Sequence, residues 1–104
     1  MKTIWKFSFD LDDDPQSHIM PCKAQLLHVA TQEASVCPWV LCDPEAERES
    51  RYFILHGTGH PVNEDEHYVG TAHMEPFVWH LFEVKAEKLK PVPVVKEKTE
   101  VGAA

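Results

Sequence analysis

Apolar and polar positions alternate with period two along much of the first 85 residues. In Thr3–Leu11, Trp5, Phe7, Phe9 and Leu11 point one way and Lys6, Ser8 and Asp10 the other. Successive strand side chains project to opposite faces, so this run predicts a strand with one buried face. Asp12-Asp13-Asp14-Pro15 ends it, because proline lacks an amide donor and aspartate favours turns. Ile19-Met20-Pro21 reads as a short extended piece, with Pro21 marking an edge or a strand start. Lys23–Gln32 places Leu27 and Val29 on one face and Ala24, Leu26, His28 and Ala30 on the other. A helix also fits those residues. The strand is preferred because the small turn Gln32-Glu33-Ala34-Ser35 leads directly into another β-like run, Val36–Cys42, and the pair reads as a hairpin.

Asp43–Ser50 is a polar excursion in which Asp43 before Pro44 is suited to cap a single helical turn. Arg51–His56 has apolar residues on both faces, Phe53 and Leu55 on one and Tyr52 and Ile54 on the other, as a central strand does. His67–His73 and Phe77–Val84 complete the set, joined by Met74-Glu75-Pro76. Six or seven short strands with at most one short helix predict an all-β fold, a small antiparallel sandwich or partly open barrel. The domain is expected to span 1–85. From Ala86 the chain is rich in lysine, glutamate and proline and offers too little apolar area to offset ordering. Residues 86–104 are therefore expected to be a flexible tail, with a short extra strand around Val92–Val95 as the alternative.

Charge narrows the partners. The formal net charge of -7 disfavours a direct nucleic-acid grip, which needs a basic face. The acidic residues cluster at Asp10–Asp14, Glu45–Glu49 and Glu64–Glu66, as solvated loops do; cation binding and mimicry of DNA charge are the competing readings. Three cysteines, Cys22, Cys37 and Cys42, form neither a disulfide framework nor a Cys-x-x-Cys pair. No apolar run reaches the roughly 18–20 residues of a membrane span, and the alternating N-terminus is unlike a signal peptide. A cytoplasmic protein is expected.

The candidate chemistry lies in Tyr52–Val84. Five of the seven histidines, His56, His60, His67, His73 and His80, fall there. His56-Gly57-Thr58-Gly59-His60 follows the expected central strand and precedes an acidic loop, which places it at one end of a sheet. A tight turn needing positive φ accounts for both glycines; the pattern lacks the Gly-Lys-Ser/Thr ending of a phosphate loop. His56 and His60 would flank exposed amides, with Tyr68 and His73 approaching from the next strand. The candidate binding residues are thus His56, Gly57, Thr58, Gly59, His60, Tyr68 and His73, for an anion or a metal; a purely structural turn gives the same pattern. Convergence of His56, His60, His67 and His73, with Glu64 or Glu66, is the metal alternative. The glycines and Pro61 argue against reading His56-x-x-x-His60 as a helical metal pair. No Gly-x-Ser-x-Gly elbow exists, and no Cys–His pairing is selected by spacing. No catalytic residue, metal ligand set or cofactor is assigned. Trp5, Trp39 and Trp79 alternate into apolar faces as core residues.

Several blocks together resemble a known family: Met1-Lys2-Thr3-Ile4-Trp5-Lys6-Phe7, Trp39-Val40-Leu41-Cys42-Asp43-Pro44, Phe53–Val62, Tyr68-Val69-Gly70-Thr71 and Val78-Trp79-His80-Leu81-Phe82-Glu83. The family comprises small bacteriophage and bacterial proteins defined only as a domain of unknown function. The resemblance covers roughly residues 1–85, and its most specific element is Gly57-Thr58-Gly59-His60-Pro61 followed by Tyr68-Val69-Gly70-Thr71. It implies a phage or prophage origin, hence the host cytoplasm, and brings no activity and no catalytic residues. The leading expectation is a small non-enzymatic accessory protein that binds an unidentified protein partner. A metal-binding protein or metal-dependent enzyme using residues 56–80 and an acidic inhibitor of a DNA-binding protein are the alternatives. Self-association is left open.

Overall fold

The computed structural model describes residues 1–85 and the two-residue strand Glu97–Lys98. Among the described residues there is no helix. The strands are β1 (Thr3–Lys6), β2 (Gln16–Pro21), β3 (Gln25–Gln32), β4 (Ser35–Cys42), β5 (Arg48–Gly57), β6 (His67–Met74), β7 (Phe77–Val84) and β8 (Glu97–Lys98). They form two sheets, ordered β1-β4-β3 and β6-β7-β5-β2-β8. All pairings are antiparallel except the short parallel contact of β2 with β8. The fold is the expected all-β arrangement, sandwich-like and without barrel closure. Apart from Glu97–Lys98, the expected tail and the alternative strand around Val92–Val95 lie outside the described residues.

The core is aromatic. Phe7, Phe9, Met20, Val36, Val40, Phe53, Leu55 and Leu81 are buried between the sheets, and the Phe9 and Phe53 rings meet edge-on with centroids 5.3 Å apart. His18 is fully buried on β2, with its ring edge-on to Phe7 at 5.0 Å and to Phe9 at 4.5 Å. The expected central strand is central: β5 lies between β7 and β2, with Phe53 and Leu55 sealed inward and Tyr52 and Ile54 half-buried outward.

Three local expectations are corrected. The first run is a strand only to Lys6; Phe7 and Phe9 still hydrogen-bond to β4, through Pro38 and Val36, but Leu11 lies in the next turn, exposed. In β3 the register shifts between Leu26 and His28, inserting Leu27 as an extra residue. Leu27 therefore points to solvent while Leu26 and Val29 both pack on the core, because a bulge resets the period-two count. Asp43–Glu47 forms no helical turn. The Asp43 carboxylate accepts from the Glu45 amide at 3.0 Å and its carbonyl accepts from Ala46 at 3.0 Å, a side-chain-supported turn that lets β5 begin at Arg48.

The Gln32–Ser35 hairpin is as expected. Its central residues Glu33 and Ala34 adopt φ of 52° and 61°, matching the twist of the flanking strands at a conformational cost. The two sheets approach most closely where β3 lies beside β6. A Cβ on Gly70 would fall 2.6 Å from Val29 Cγ2, so only glycine permits this contact, and the Thr31 hydroxyl donates across it to the His73 carbonyl at 2.6 Å.

Candidate functional site

β5 ends at Gly57 and the chain reverses through Thr58-Gly59. The His60 amide donates to the Gly57 carbonyl at 3.1 Å, closing a four-residue turn with Gly59 at φ 94° in its third position. Gly59 is the glycine that the backbone requires. Gly57 does not share the positive φ expected of both; it is small for a different reason. The His60 ring folds back onto it, so a Cβ there would lie 3.1 Å from His60 Cε1. His60 Nδ1 accepts from the Gly57 amide at 3.1 Å, which places the neutral ring's proton on Nε2.

His56, one residue earlier, faces outward yet is only 7% exposed, because the loop after the turn covers it. Its Nε2 lies 2.6 Å from Glu66 Oε1, and Glu66 Oε2 accepts from the Asn63 side chain at 3.1 Å. This pair pins the acidic loop to the sheet. Beside it a cleft of about 300 Å³ is bordered by Asp13, His56, His60 and Pro61. The four histidines of the metal alternative do not converge. His67 borders a separate cleft with Arg51 and Glu83, and His73 sits opposite Val78 near the β6–β7 turn. Among the described residues no three histidine, cysteine, aspartate or glutamate side chains gather in a metal-holding arrangement.

The outer face of β5, β6 and β7 carries a continuous hydrogen-bonded chain instead. Tyr68 Oη is 2.6 Å from Thr71 Oγ1, Thr71 Oγ1 is 3.0 Å from His80 Nδ1, and His80 Nε2 is 3.0 Å from Thr58 Oγ1. Register explains it. His80 on β7 is paired directly with Thr71 on β6 and with His56 on β5, so all three side chains share one face. Tyr68 and Thr71 are three residues apart and would ordinarily face opposite ways. The register shift between Tyr68 and Gly70 adds Val69 to β6 and brings both to the outer side. Phe82 supports the group, its ring edge-on to His56 at 5.3 Å and to Tyr68 at 5.6 Å.

Thr58 also opens onto an apolar cleft of about 540 Å³, lined by Gly57, His60, Pro76, Phe77, Val78 and Trp79. Phe77 is 64% exposed there, beside the half-buried Trp79 at 6.3 Å between ring centroids. Trp79 Nε1 is buried without a hydrogen-bond partner among the described residues.

Two polar features elsewhere are structural. Arg51 grips Glu83 through Nε at 2.6 Å and Nη2 at 2.7 Å and donates to the Ala24 carbonyl at 2.6 Å. The hydrogen bond to Glu83 raises the guanidinium's already high pKa. Burial pushes the Cys37 thiol up from its ordinary value, against the nearby Lys6 charge, and so makes it a poor nucleophile.

The family described as Domain of unknown function (DUF7352) has a model that matches residues 1–91. The chain belongs to that family. The match to DUF7352 runs past the expected limit at residue 85, into the first residues of the predicted tail. No curated protein and no solved structure matches the chain.

Of the expected site residues in this DUF7352 chain, His56, Gly57, Thr58, Gly59 and His60 sit together at one end of the five-stranded sheet, as placed. Tyr68 joins Thr58 through Thr71 and His80, which neither alternation nor spacing marks as site residues. The His73 side chain stands outside the chain of bonds. Hairpin arithmetic holds the missing signal: with Glu75-Pro76 as a two-residue turn, Met74 faces Phe77 and counting back puts Thr71 opposite His80.

Proposed function

We propose that this chain is a phage- or prophage-encoded accessory protein of the host cytoplasm that works by binding another protein. The apolar cleft at the Thr58–Phe77 end of the five-stranded sheet receives an apolar side chain of that partner. One observation carries the reading. Phe77 leaves 64% of its surface in water beside a half-buried tryptophan, in a cleft otherwise lined by Pro76, Val78 and the Gly57–His60 turn. Covering an aromatic ring of this kind contributes about 1.5–3 kcal/mol, and partly sunk aromatics are the usual anchors of protein contacts. The net charge of -7 favours a protein over a nucleic acid as the partner. The phage origin is drawn from the sequence resemblance.

The test is affinity capture from the host with three forms: wild type, Phe77→Ser, and Leu27→Ser as a control that removes a comparably exposed apolar side chain from the other sheet. A partner held by wild type and Leu27→Ser and weakened about tenfold or more by Phe77→Ser, the equivalent of about 1.4 kcal/mol, supports the cleft. Equal retention by all three forms removes it.

A further inference from the structure

We propose that Thr58 is a nucleophile activated by His80, and that the adjoining apolar cleft seats the acyl group of an ester or thioester. This goes beyond the binding reading and needs no protein partner. A threonine hydroxyl is a weak nucleophile unless a base within hydrogen-bond reach takes its proton as it attacks. Thr58 Oγ1 has such a base in His80 Nε2 at 3.0 Å. The base is itself oriented: His80 Nδ1 lies 3.0 Å from Thr71 Oγ1, which Tyr68 Oη holds from its other side at 2.6 Å. With Nδ1–H donating to Thr71, Nε2 carries the lone pair and accepts from Thr58, the tautomer that base catalysis requires. Nucleophile, base and orienting group come from the β5 turn, β7 and β6, so the sheet fixes their spacing.

Two further features favour acyl chemistry. The amides of Thr58 and Gly59 donate to no group among the described residues, and both residues are exposed. They are donors adjacent to the attacking oxygen for a carbonyl that becomes an oxyanion. The apolar side is supplied by Pro76, Phe77, Val78 and Trp79 in the same cleft that Thr58 borders.

The step balances without an oxidant or a metal. Thr58 Oγ1 bonds to the carbonyl carbon as its proton passes to His80 Nε2. The tetrahedral intermediate expels the alcohol or thiol, which takes that proton as its C–O or C–S bond breaks. Water, giving its proton to the same nitrogen, then cleaves the acyl-threonine to release the carboxylic acid and restore the hydroxyl. The orienting partner of His80 is a neutral hydroxyl and not a carboxylate, so the developing imidazolium is less stabilised. Deacylation, in which His80 must activate a water, is therefore slower than acylation by an ester with a good leaving group, and the covalent adduct accumulates.

The experiment uses the full chain with p-nitrophenyl butyrate, following nitrophenol release and locating the butyryl group by peptide mass spectrometry. The expected result is a burst of nitrophenol matched to one butyryl group on Thr58. The burst is absent in Thr58→Ala, retained in Thr58→Ser, slowed about 100-fold in His80→Gln and unchanged in His28→Gln on the other sheet. Thr71→Val, acting through His80, slows acylation and displaces the midpoint of its pH profile. Modification at lysine or histidine in place of Thr58, an equal burst from Thr58→Ala, or release no faster than in buffer overturns the proposal. Phe77→Ser should weaken acylation by the butyrate ester whether or not a partner is captured. Unchanged acylation in Phe77→Ser overturns the assignment of the cleft to the acyl group, while loss of acylation in Thr58→Ala with partner capture intact separates this proposal from the binding reading.

Discussion

On the inner face of β5 and β7, Phe53, Leu55 and Leu81 are sealed from solvent; on the outer face of the same strands, His56, His80 and Phe82 meet Thr71 and Tyr68 from β6. The backbone is common to both. The inner side is ordered by area removed from water, which is non-directional and tolerates many side chains of the right volume. The outer side is ordered by hydrogen bonds between particular atoms, which depend on register and fail if a strand slips by one residue. The inner face therefore carries stability, and the outer face is where a chemical specification can be written at little cost to the fold.

That division predicts very unequal responses to substitution. Phe53→Ala removes a fully buried ring in contact with Phe9, and the cost expected is about 3–5 kcal/mol. At roughly 4–8 °C per kcal/mol for a domain this size, thermal unfolding followed by circular dichroism should shift by well over 10 °C. A shift of only a few degrees would remove the inner face as the source of stability. Gly70→Ala inserts a methyl group against Val29 where the sheets touch, and overpacking of this kind costs about 1–3 kcal/mol. Because Val29 is the obstacle, the same change in a Val29→Ala background should cost measurably less, and urea titration of the double-mutant cycle reads the difference. Simple additivity there would break the account of that contact. Thr71→Val keeps the shape of an outer-face residue and deletes its hydroxyl. The expected loss is about 0.5–1.5 kcal/mol, the smallest of the three. A loss as large as that of Phe53→Ala would erase the distinction between the faces.

The inner face was legible because burial repeats every second residue. Trp5, Phe7 and Phe9, Phe53 and Leu55, and Trp79 and Leu81 each announced their side by alternation alone. Legibility failed wherever one residue was inserted. Alternation pairs Leu27 with Val29, whereas a bulge turns Leu27 out, and Val69 brings Tyr68 round to Thr71 in a way that counting by twos forbids. Bulges leave no compositional mark here. The turn at Gly57–His60 was found from its glycines, yet only Gly59 is there for its dihedral; the reason for Gly57 is the His60 ring, which no local rule reveals. The outer chain of bonds stayed hidden because its members come from three segments, and pairing His80 with Thr71 requires the strand register.

The order of strands also sets a timetable. The hairpin β3–β4 joins neighbours across the two-residue turn Glu33-Ala34, and a pairing of this local kind forms in about 1–10 μs. The pairing of β2 with β5 is of another kind. It brings Pro21 to Arg48 and, one step on, the Cys22 amide to the Glu47 carbonyl, with the whole β3–β4 hairpin enclosed between them. Such distant pairings draw on loop-closure entropy before any contact repays it. The docking of the middle strand against β2 is therefore expected to follow the β3–β4 hairpin that it encloses.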